Sequence, residues 1–221
     1  MEQLKTPEEV LNFARMIHWL GHASVKINYQ DHVIYIDPFR LSSSDNADMI
    51  LVTHDHHDHL SIPDIAKIAT KKTRFVVAAA CVEKLEQAGY MNIQPVLPES
   101  KISILGLTIN AVPAYNLTKP MHPPNRSYVG YLIDFDGIKV YHTGDTERIP
   151  EMKDIRCDIM LVPLGQTYTM NSVEEAAGAV LDTKASIAIP IHWGLFEGTG
   201  KDEKQFSQLL EHNNIRVLTG R

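Results

Sequence analysis

The stretch "THDHHDHL", residues 53–60, holds four of the chain's eleven histidines in one run with two aspartates. The apolar segment directly before it, "ADMILV" (47–52), predicts a buried strand. A helix is predicted directly after it in "SIPDIAKIAT" (61–70), because Ser61 suits an N-cap and Pro63 suits the first turn. The run therefore lies on a strand-to-helix loop at the carboxyl end of a strand, where α/β proteins commonly bind ligands.

This run has the chemistry of a metal site. In an extended segment, side chains two residues apart point the same way, so we expect His54 and His56 to converge on one ion. Asp58 and His59 lie where the chain turns into the helix, and they provide a carboxylate and an imidazole for a second ion. Imidazole with carboxylate suits Zn²⁺, Mn²⁺ or Fe²⁺ better than Ca²⁺ or Mg²⁺. The other members of the run are expected to point away: Asp55 and His57.

Two ions need more ligands than one loop supplies, and three later segments offer them. "VYHTGDT" (140–146) contains His142 and Asp145, "AIPIHWG" (188–194) contains His192, and "KPMHPP" (119–124) contains His122. A carboxylate bridges two cations well, because its two oxygens and its charge reach both. Asp145 is therefore the candidate bridge, although a turn aspartate is the alternative interpretation.

The ordered set of motifs resembles a known family. "THDHHDHL" matches the H-x-H-x-D-H signature of the metallo-β-lactamase superfamily of metal-dependent hydrolases. The likeness is to the branch related to L-ascorbate-6-phosphate lactonase and N-acyl-phosphatidylethanolamine-hydrolysing phospholipase D. It continues through "WLGHASVKI" (19–27), "IDPF" (36–39), "VPAYN" (112–116), "YHTGDT" (141–146), "YTM" (168–170) and "IPIHWG" (189–194). The resemblance implies a four-layer αββα sandwich with two mixed β-sheets, and we expect residues 1–221 to form one such domain.

The resemblance also implies a ligand set for two divalent ions. Zinc is the expected metal, and manganese or iron are alternatives. Asp145 would bridge the ions and His192 would complete the second one. The implied ligands are His54, His56, Asp58, His59, Asp145 and His192. The chain departs from the pattern at Tyr115-Asn116, where the phospholipase-like relatives have a ligand histidine. His122 is the candidate replacement; a surface or substrate-contacting histidine is the alternative.

Several residues near these motifs are candidates for supporting the ligands or contacting a substrate. They are His22, Asp37, Asn116, Arg126, His142, Tyr168 and Trp193. Asp37 would fix the tautomer of a ligand imidazole, and Arg126 would pair with a phosphate or carboxylate. For the aromatic residues and Arg126, loop packing is the simpler interpretation.

The predicted activity is hydrolysis of an ester, lactone, amide or phosphodiester bond in a small molecule. Two ions that share a water would lower its pKa and create a hydroxide nucleophile, with Asp58 and Asp145 as catalytic residues. The narrower alternative is a sugar-phosphate lactonase or a phosphodiesterase specifically. A non-catalytic metal-binding module is another, and a diiron redox protein or an RNA-processing nuclease fits less well.

Composition narrows the classes of protein. The chain has 221 residues and a formal net charge of −6, so it lacks the basic surface that nucleic-acid binding requires. No apolar run approaches the roughly 18 residues of a membrane helix, and the start of the chain is unlike a secretory signal. A cytoplasmic protein is expected, and a homo-oligomer is left open. Cys81 and Cys157 are expected to be buried free thiols.

The rest of the pattern predicts strands first and strand–helix alternation later, which favours a layered α/β domain. Strands are predicted at 22–29, 32–38, 47–53, 74–80, 101–116, 127–146, 157–166, 185–194 and 215–220. Helices are predicted near the start and at 60–70, 81–90, 171–183 and 202–214. Ser172 and Glu175 predict a capping box, and Asp136-Gly137 predicts a tight hairpin turn.

Overall fold

The structure is a computed structural model, and it describes residues 5–42 and 45–219. Within these residues the strands form two sheets, each in sequence order. The first sheet contains β1 (Ile17–Gly21), β2 (Ser24–Tyr29), β3 (His32–Ile36), β4 (Met49–Val52), β5 (Arg74–Ala78) and β6 (Ile93–Val96). The second contains β7 (Lys101–Ile104), β8 (Leu107–Pro113), β9 (Val129–Phe135), β10 (Ile138–His142), β11 (Ile159–Pro163), β12 (Ile187–Ile191) and β13 (Arg216–Val217).

Both sheets mix strand directions in the same way. Each begins with antiparallel strands, β1 to β3 in the first sheet and β7 to β10 in the second. Each ends with parallel strands, β3 to β6 and β10 to β13. Because parallel neighbours end at the same edge of a sheet, the loops after β3 and β4 lie together, as do those after β10, β11 and β12.

The two sheets pack face to face between layers of helix. In β11, Ile159 and Leu161 belong to the core between the sheets, whereas Met160 and Val162 pack with α4 (Val173–Thr183) and α5 (Gly200–Glu211). The first sheet packs with α2 (Ile62–Ile68) and α3 (Val82–Gln87). The short helix α1 (Pro7–Ala14) begins with a capping box at Thr6. The predicted αββα sandwich with two mixed sheets is confirmed.

The predicted elements are largely confirmed, with some errors. The prediction missed β1 and β6. His22, predicted in a strand, lies in the turn between β1 and β2. The edge strand β6 contains Pro95, which removes a ladder donor and hides the strand pattern. The final strand is shorter than predicted, and residue 220 of that prediction lies outside the described residues.

Two local predictions about turns and caps had different outcomes. Asp136 and Gly137 have φ values of 53° and 89°, which fits the predicted tight hairpin turn. The predicted capping box at α4 is wrong in its second half. Ser172 accepts from the N–H of Glu175 at 3.1 Å, but the Glu175 carboxylate accepts from the N–H groups of Arg148 and Asn171 instead. Cys81 and Cys157 are buried free thiols, as predicted.

No helix within residues 5–42 and 45–219 combines the length and the apolar character that crossing a membrane requires.

A buried carboxylate joins α2 to the loop that follows β3. Asp64 accepts hydrogen bonds from the backbone N–H groups of Arg40 at 2.8 Å and Leu41 at 3.0 Å. It also accepts from Ser61 Oγ and Lys67 Nζ, both at 2.7 Å. Burial raises the pKa of the Asp64 carboxyl, but the hydrogen bonds from Lys67 and Ser61 outweigh burial and hold that pKa below its usual value.

We expect Asp64→Asn to lower the free energy of unfolding by about 1–3 kcal/mol at pH 7, because a buried acceptor is lost. A carboxyl whose pKa is lowered by folding stabilises the protein above its unfolded pKa, and that contribution disappears as the pH falls through the folded pKa. The difference between wild type and variant should therefore shrink below about pH 4. Urea unfolding across pH measures it, with the exposed Asp31→Asn as control; a constant difference would contradict this role.

Candidate metal centre

Side chains that follow several strands of both sheets meet at one edge of the sandwich. Asp37 follows β3, the run 53–60 follows β4, Asp145 follows β10, and His192 follows β12. Two loops complete the group, with His22 in the β1–β2 turn and His122 between β8 and β9. Four of these residues have left-handed φ values between 47° and 57°: His22, Asp37, His122 and His192. Such backbone is costly for non-glycine residues, and it concentrates where a site needs a fixed side-chain direction.

Three imidazoles form the first candidate ligand group. His56 Nδ1 lies 3.1 Å from His54 Nε2 and 3.1 Å from His122 Nε2. His54 and His122 are buried, and His56 is half-buried. The geometric premise of the prediction is wrong, because the run does not continue β4 as an extended segment. It bends from Thr53 onwards and then turns, with Leu60 N donating to His56 O at 2.8 Å, and the His54 and His56 imidazoles nevertheless converge.

A second candidate group lies beside the first. It contains His22, Asp58, His59 and His192, whose potential ligand atoms all lie within 4.8 Å of one another. His22 Nε2 lies 2.9 Å from Asp58 Oδ2, and its ring lies 3.8 Å from that of His192. Sequence reasoning placed His22 outside the ligand set, but the geometry places it among the potential ligands. The sequence provides little indication that His22 could be a ligand, because this histidine lies in a turn with no other candidate ligand beside it.

Asp145 lies between the two groups. Its Oδ2 is 3.1 Å from His192 Nε2, 3.3 Å from His59 Nε2 and 3.4 Å from His122 Nε2. Burial raises the pKa of the Asp145 carboxyl, but the imidazoles of His192 and His59 hold it well below its usual value. Burial lowers the pKa of His59, yet Asp145 and Asp37 raise it well above the usual value. This buried carboxylate therefore needs positive charge around it.

The donor set fits divalent cations. Asp145 Oδ1 and His59 Nε2 are buried, and neither has a hydrogen-bond partner within the described part of the chain. Buried polar atoms usually have partners, so such atoms facing a shared space point to a ligand. Imidazole nitrogens with carboxylate oxygens are the donors that zinc, manganese and iron accept. The residues present therefore fit one cation in each group.

Asp37 orients two of the imidazoles, that of His59 directly and that of His54 through Thr53. Its Oδ2 lies 2.8 Å from His59 Nδ1 and accepts from Thr53 Oγ1 at 2.7 Å, while its Oδ1 accepts from Thr53 N at 2.8 Å. Thr53 Oγ1 in turn lies 2.9 Å from His54 Nδ1. With Nδ1 engaged in this way, both rings present Nε2 to the shared space. The sequence suggested such a role for Asp37 but gave no sign of Thr53.

Glu197 is a supporting residue that sequence reasoning missed. Its Oε1 lies 2.7 Å from His192 Nδ1, and Oε2 accepts from the N–H groups of Thr167 and Tyr168. Burial lowers the pKa of His192, but Asp145 and Glu197 raise it to about 9. The backbone at Gly165 passes so close to the Glu197 side chain that a Cβ at Gly165 would lie 1.8 Å from Glu197 Cδ. In the sequence, nothing in the segment "FEGTG" (196–200) indicates that Glu197 supports a ligand. Its role is visible only from its burial and its contact with His192.

The loop that carries His122 is tied to the segment that carries Asp145. Glu147, two residues after Asp145, accepts from Leu117 N at 2.8 Å and Thr118 N at 3.0 Å. Asn116 stands behind His122, with Nδ2 donating to Tyr168 O and lying 3.4 Å from His122 Nδ1. Asn116 therefore supports the position of the His122 imidazole.

Other sequence candidates lie outside the two ligand groups. Arg126 pairs with Asp55 at 3.2 Å, which keeps its guanidinium away from the pocket. His142 Nε2 lies 2.9 Å from Ala23 O, and its Nδ1 accepts from Gly144 N, so it holds the turn before Asp145. Trp193 stacks on Trp19 with ring centroids 5.3 Å apart.

A pocket of about 390 Å³ opens onto the two groups. Its floor contains side chains of both groups and Asp145, and Tyr168 contributes to its wall. The lining residues are His56, His57, Asp58, Met121, His122, Asp145, Tyr168, His192 and Phe196. The centre is therefore accessible to a small molecule.

Comparison with known proteins identifies the family of this chain. The profile of the beta-lactamase superfamily domain matches residues 16–192. A UPF0173 metal-dependent hydrolase of Methanopyrus kandleri is 31% identical over 91% of this chain and 94% of its own. One of Thermoplasma acidophilum is 35% identical over 87% of this chain and 89% of its own.

A solved structure shows the same fold. A candidate metal-dependent hydrolase from Parabacteroides distasonis is 31% identical, covers 92% of this chain and 91% of its own, and superimposes with a TM-score of 0.82. The chain therefore belongs to the beta-lactamase superfamily and, within it, to the UPF0173 metal-dependent hydrolases.

Proposed function

We propose that this metal-dependent hydrolase uses a binuclear centre to cleave an ester, lactone, amide or phosphodiester bond in a small molecule. The observation that carries the proposal is the position of Asp145 between two groups of potential ligands. One group alone would suffice for a structural metal site. Two groups that share a buried carboxylate and open onto a pocket are typical of catalytic centres.

The ligand assignment follows from these two groups. His54, His56 and His122 would hold one ion; Asp58, His59 and His192 would hold the other, with Asp145 between them and with His22 holding Asp58 rather than an ion. Zinc suits this donor set best, and manganese or iron are alternatives. Bound ions would lower the pKa of water in the site and would stabilise negative charge that develops on the substrate.

The chain's own residues position the reaction. Burial raises the pKa of the Asp58 carboxyl, but His22 and His59 lower it below its usual value, so this carboxylate is ionised at neutral pH. Asp58 lines the pocket; its Oδ2 lies 2.9 Å from His22 Nε2, and its Oδ1 lies 3.6 Å from His57 Nδ1. Asp58 orients the attacking water, takes its proton and returns that proton to the leaving oxygen or nitrogen. Asp37 and Glu197 hold His59 and His192 in their orientations.

Replacement of either central carboxylate tests this assignment. We expect Asp145→Ala and Asp58→Ala to abolish turnover while the circular dichroism spectrum stays native. Chelator treatment of wild type should abolish turnover too, and added zinc should restore it. Metal analysis should give two ions per chain for wild type and for the exposed control Asp154→Ala. Full activity in either site variant would contradict the proposal.

The role of His122 has its own test. We expect His122→Ala to retain one tightly bound ion and to weaken the other, because one group falls from three imidazoles to two. Isothermal titration calorimetry with zinc measures the affinities of the two sites separately. The exposed His18→Ala serves as control, and unchanged affinities in His122→Ala would place this histidine outside the ligand set.

Glu197 is expected to act through His192. We expect Glu197→Gln to lower metal affinity about 10- to 100-fold, as substitutions of residues behind metal-binding histidines do. Competition with a fluorescent zinc chelator measures the change, with the exposed Glu86→Gln as control. A Glu197→Gln protein with wild-type zinc affinity would show that the contact with His192 only stabilises the loop.

A further inference from the structure

The pocket over the metal centre has a polar floor and an apolar wall. The wall consists of Met121, Tyr168 and Phe196, which are 40%, 39% and 48% exposed. Large apolar side chains grouped at this exposure around a cavity typically mark a binding surface for an apolar ligand. Met121 and Tyr168 are fixed in place, because Asn116 donates to the backbone carbonyl oxygens of both at 2.8 Å.

No lysine or arginine is among the residues that line this pocket. The cations on neighbouring segments have other partners. Lys84 and Arg126 both pair with Asp55, and Lys119 donates to the backbone carbonyls of Thr169 and Met170. A phosphate or carboxylate on the substrate would therefore meet the apolar wall with no lysine or arginine in the lining to receive it.

A second cavity adjoins the pocket at the contact between His22 and Asp58. It has a volume of about 300 Å³ and contains Arg40, but His22 stands at its border with Asp58, 2.9 Å from that carboxylate. The His22 ring also lies 5.2 Å from Phe196. Arg40 thus lies beyond the His22–Asp58 contact.

We propose that the substrate is an uncharged ester, lactone or amide whose alkyl or aromatic part packs against Met121, Tyr168 and Phe196. This inference rests on the proposed function, since it names the substrate class of the same centre. Recognition of phosphorylated compounds usually depends on bidentate arginine or on lysine, and burial of an unpaired charge against apolar groups is costly. The lining therefore selects against sugar phosphates and for neutral substrates with an apolar part.

Hydrolysis of matched substrates tests the inference. On the zinc-loaded protein, kcat/KM should rise about fourfold per added methylene from p-nitrophenyl acetate to p-nitrophenyl butyrate, because each methylene leaves water for the wall. The hemisuccinate ester, which has similar length and a terminal carboxylate, should be the poorer substrate. Met121→Ala and Phe196→Ala should flatten the dependence on chain length, whereas Met91→Ala, which removes a methionine 87% exposed elsewhere, should leave it unchanged.

A binding measurement separates this inference from the proposed function. Affinity of the zinc-loaded protein for alkyl hydroxamates should increase from two to six carbons and lose that increase in Phe196→Ala. Two outcomes, seen in a protein that still binds zinc, would overturn the apolar assignment and leave the proposed function intact. One is a hydroxamate affinity that does not depend on chain length. The other is a preference for the anionic ester or for bis-p-nitrophenyl phosphate. Absence of binding of zinc, manganese and iron would contradict the proposed function and the inference with it.

Discussion

The buried carboxylate of Asp145 is the constraint on which the arrangement of the site loops depends. Four histidines place a ring nitrogen within 3.9 Å of its Oδ2, and none of these imidazoles is close to it in sequence. A buried carboxylate is costly unless positive charge surrounds it, so the loops that deliver these rings must keep their positions. Gly144 makes the turn before Asp145 with a φ of 64°, where a Cβ would lie 2.9 Å from Val129 O.

Both sheets have to cooperate to satisfy this carboxylate. The first sheet delivers His54 and His59 from the loop after β4, and the second delivers Asp145 and His192 from the ends of β10 and β12. Hydrogen bonds accepted by buried carboxylates then fix the loops. Asp37 secures the loop after β4, and Glu197 secures His192. The left-handed backbone at several of these positions is tolerated because packing and hydrogen bonds over-determine it.

The sequence reveals the parts of the centre that are local. The run 53–60 is contiguous and follows an apolar strand, so its metal chemistry and the sandwich fold could be predicted from residues alone and from their family pattern. Glu197 and Thr53 could not, because their roles arise only when distant segments meet. His22 was underestimated for the same reason: its partners Asp58 and His192 lie 36 and 170 residues away along the chain. The strands β1 and β6 were missed because one ends at a strained turn and the other contains a proline.

This arrangement explains why the pocket has a polar floor and an apolar wall. The floor concentrates carboxylates and imidazoles whose charges are compensated among themselves or by cations, so it has little need of lysine or arginine. Nearby cations are instead used to fix loops, as Lys119 does through backbone carbonyls and Arg126 does through Asp55. The wall is then free to be apolar, and low polarity around the floor strengthens the electrostatic interactions there. A centre of this kind obtains its reactivity from the floor and its selectivity from the wall, so residues that decide the substrate need not be those that bind the metals.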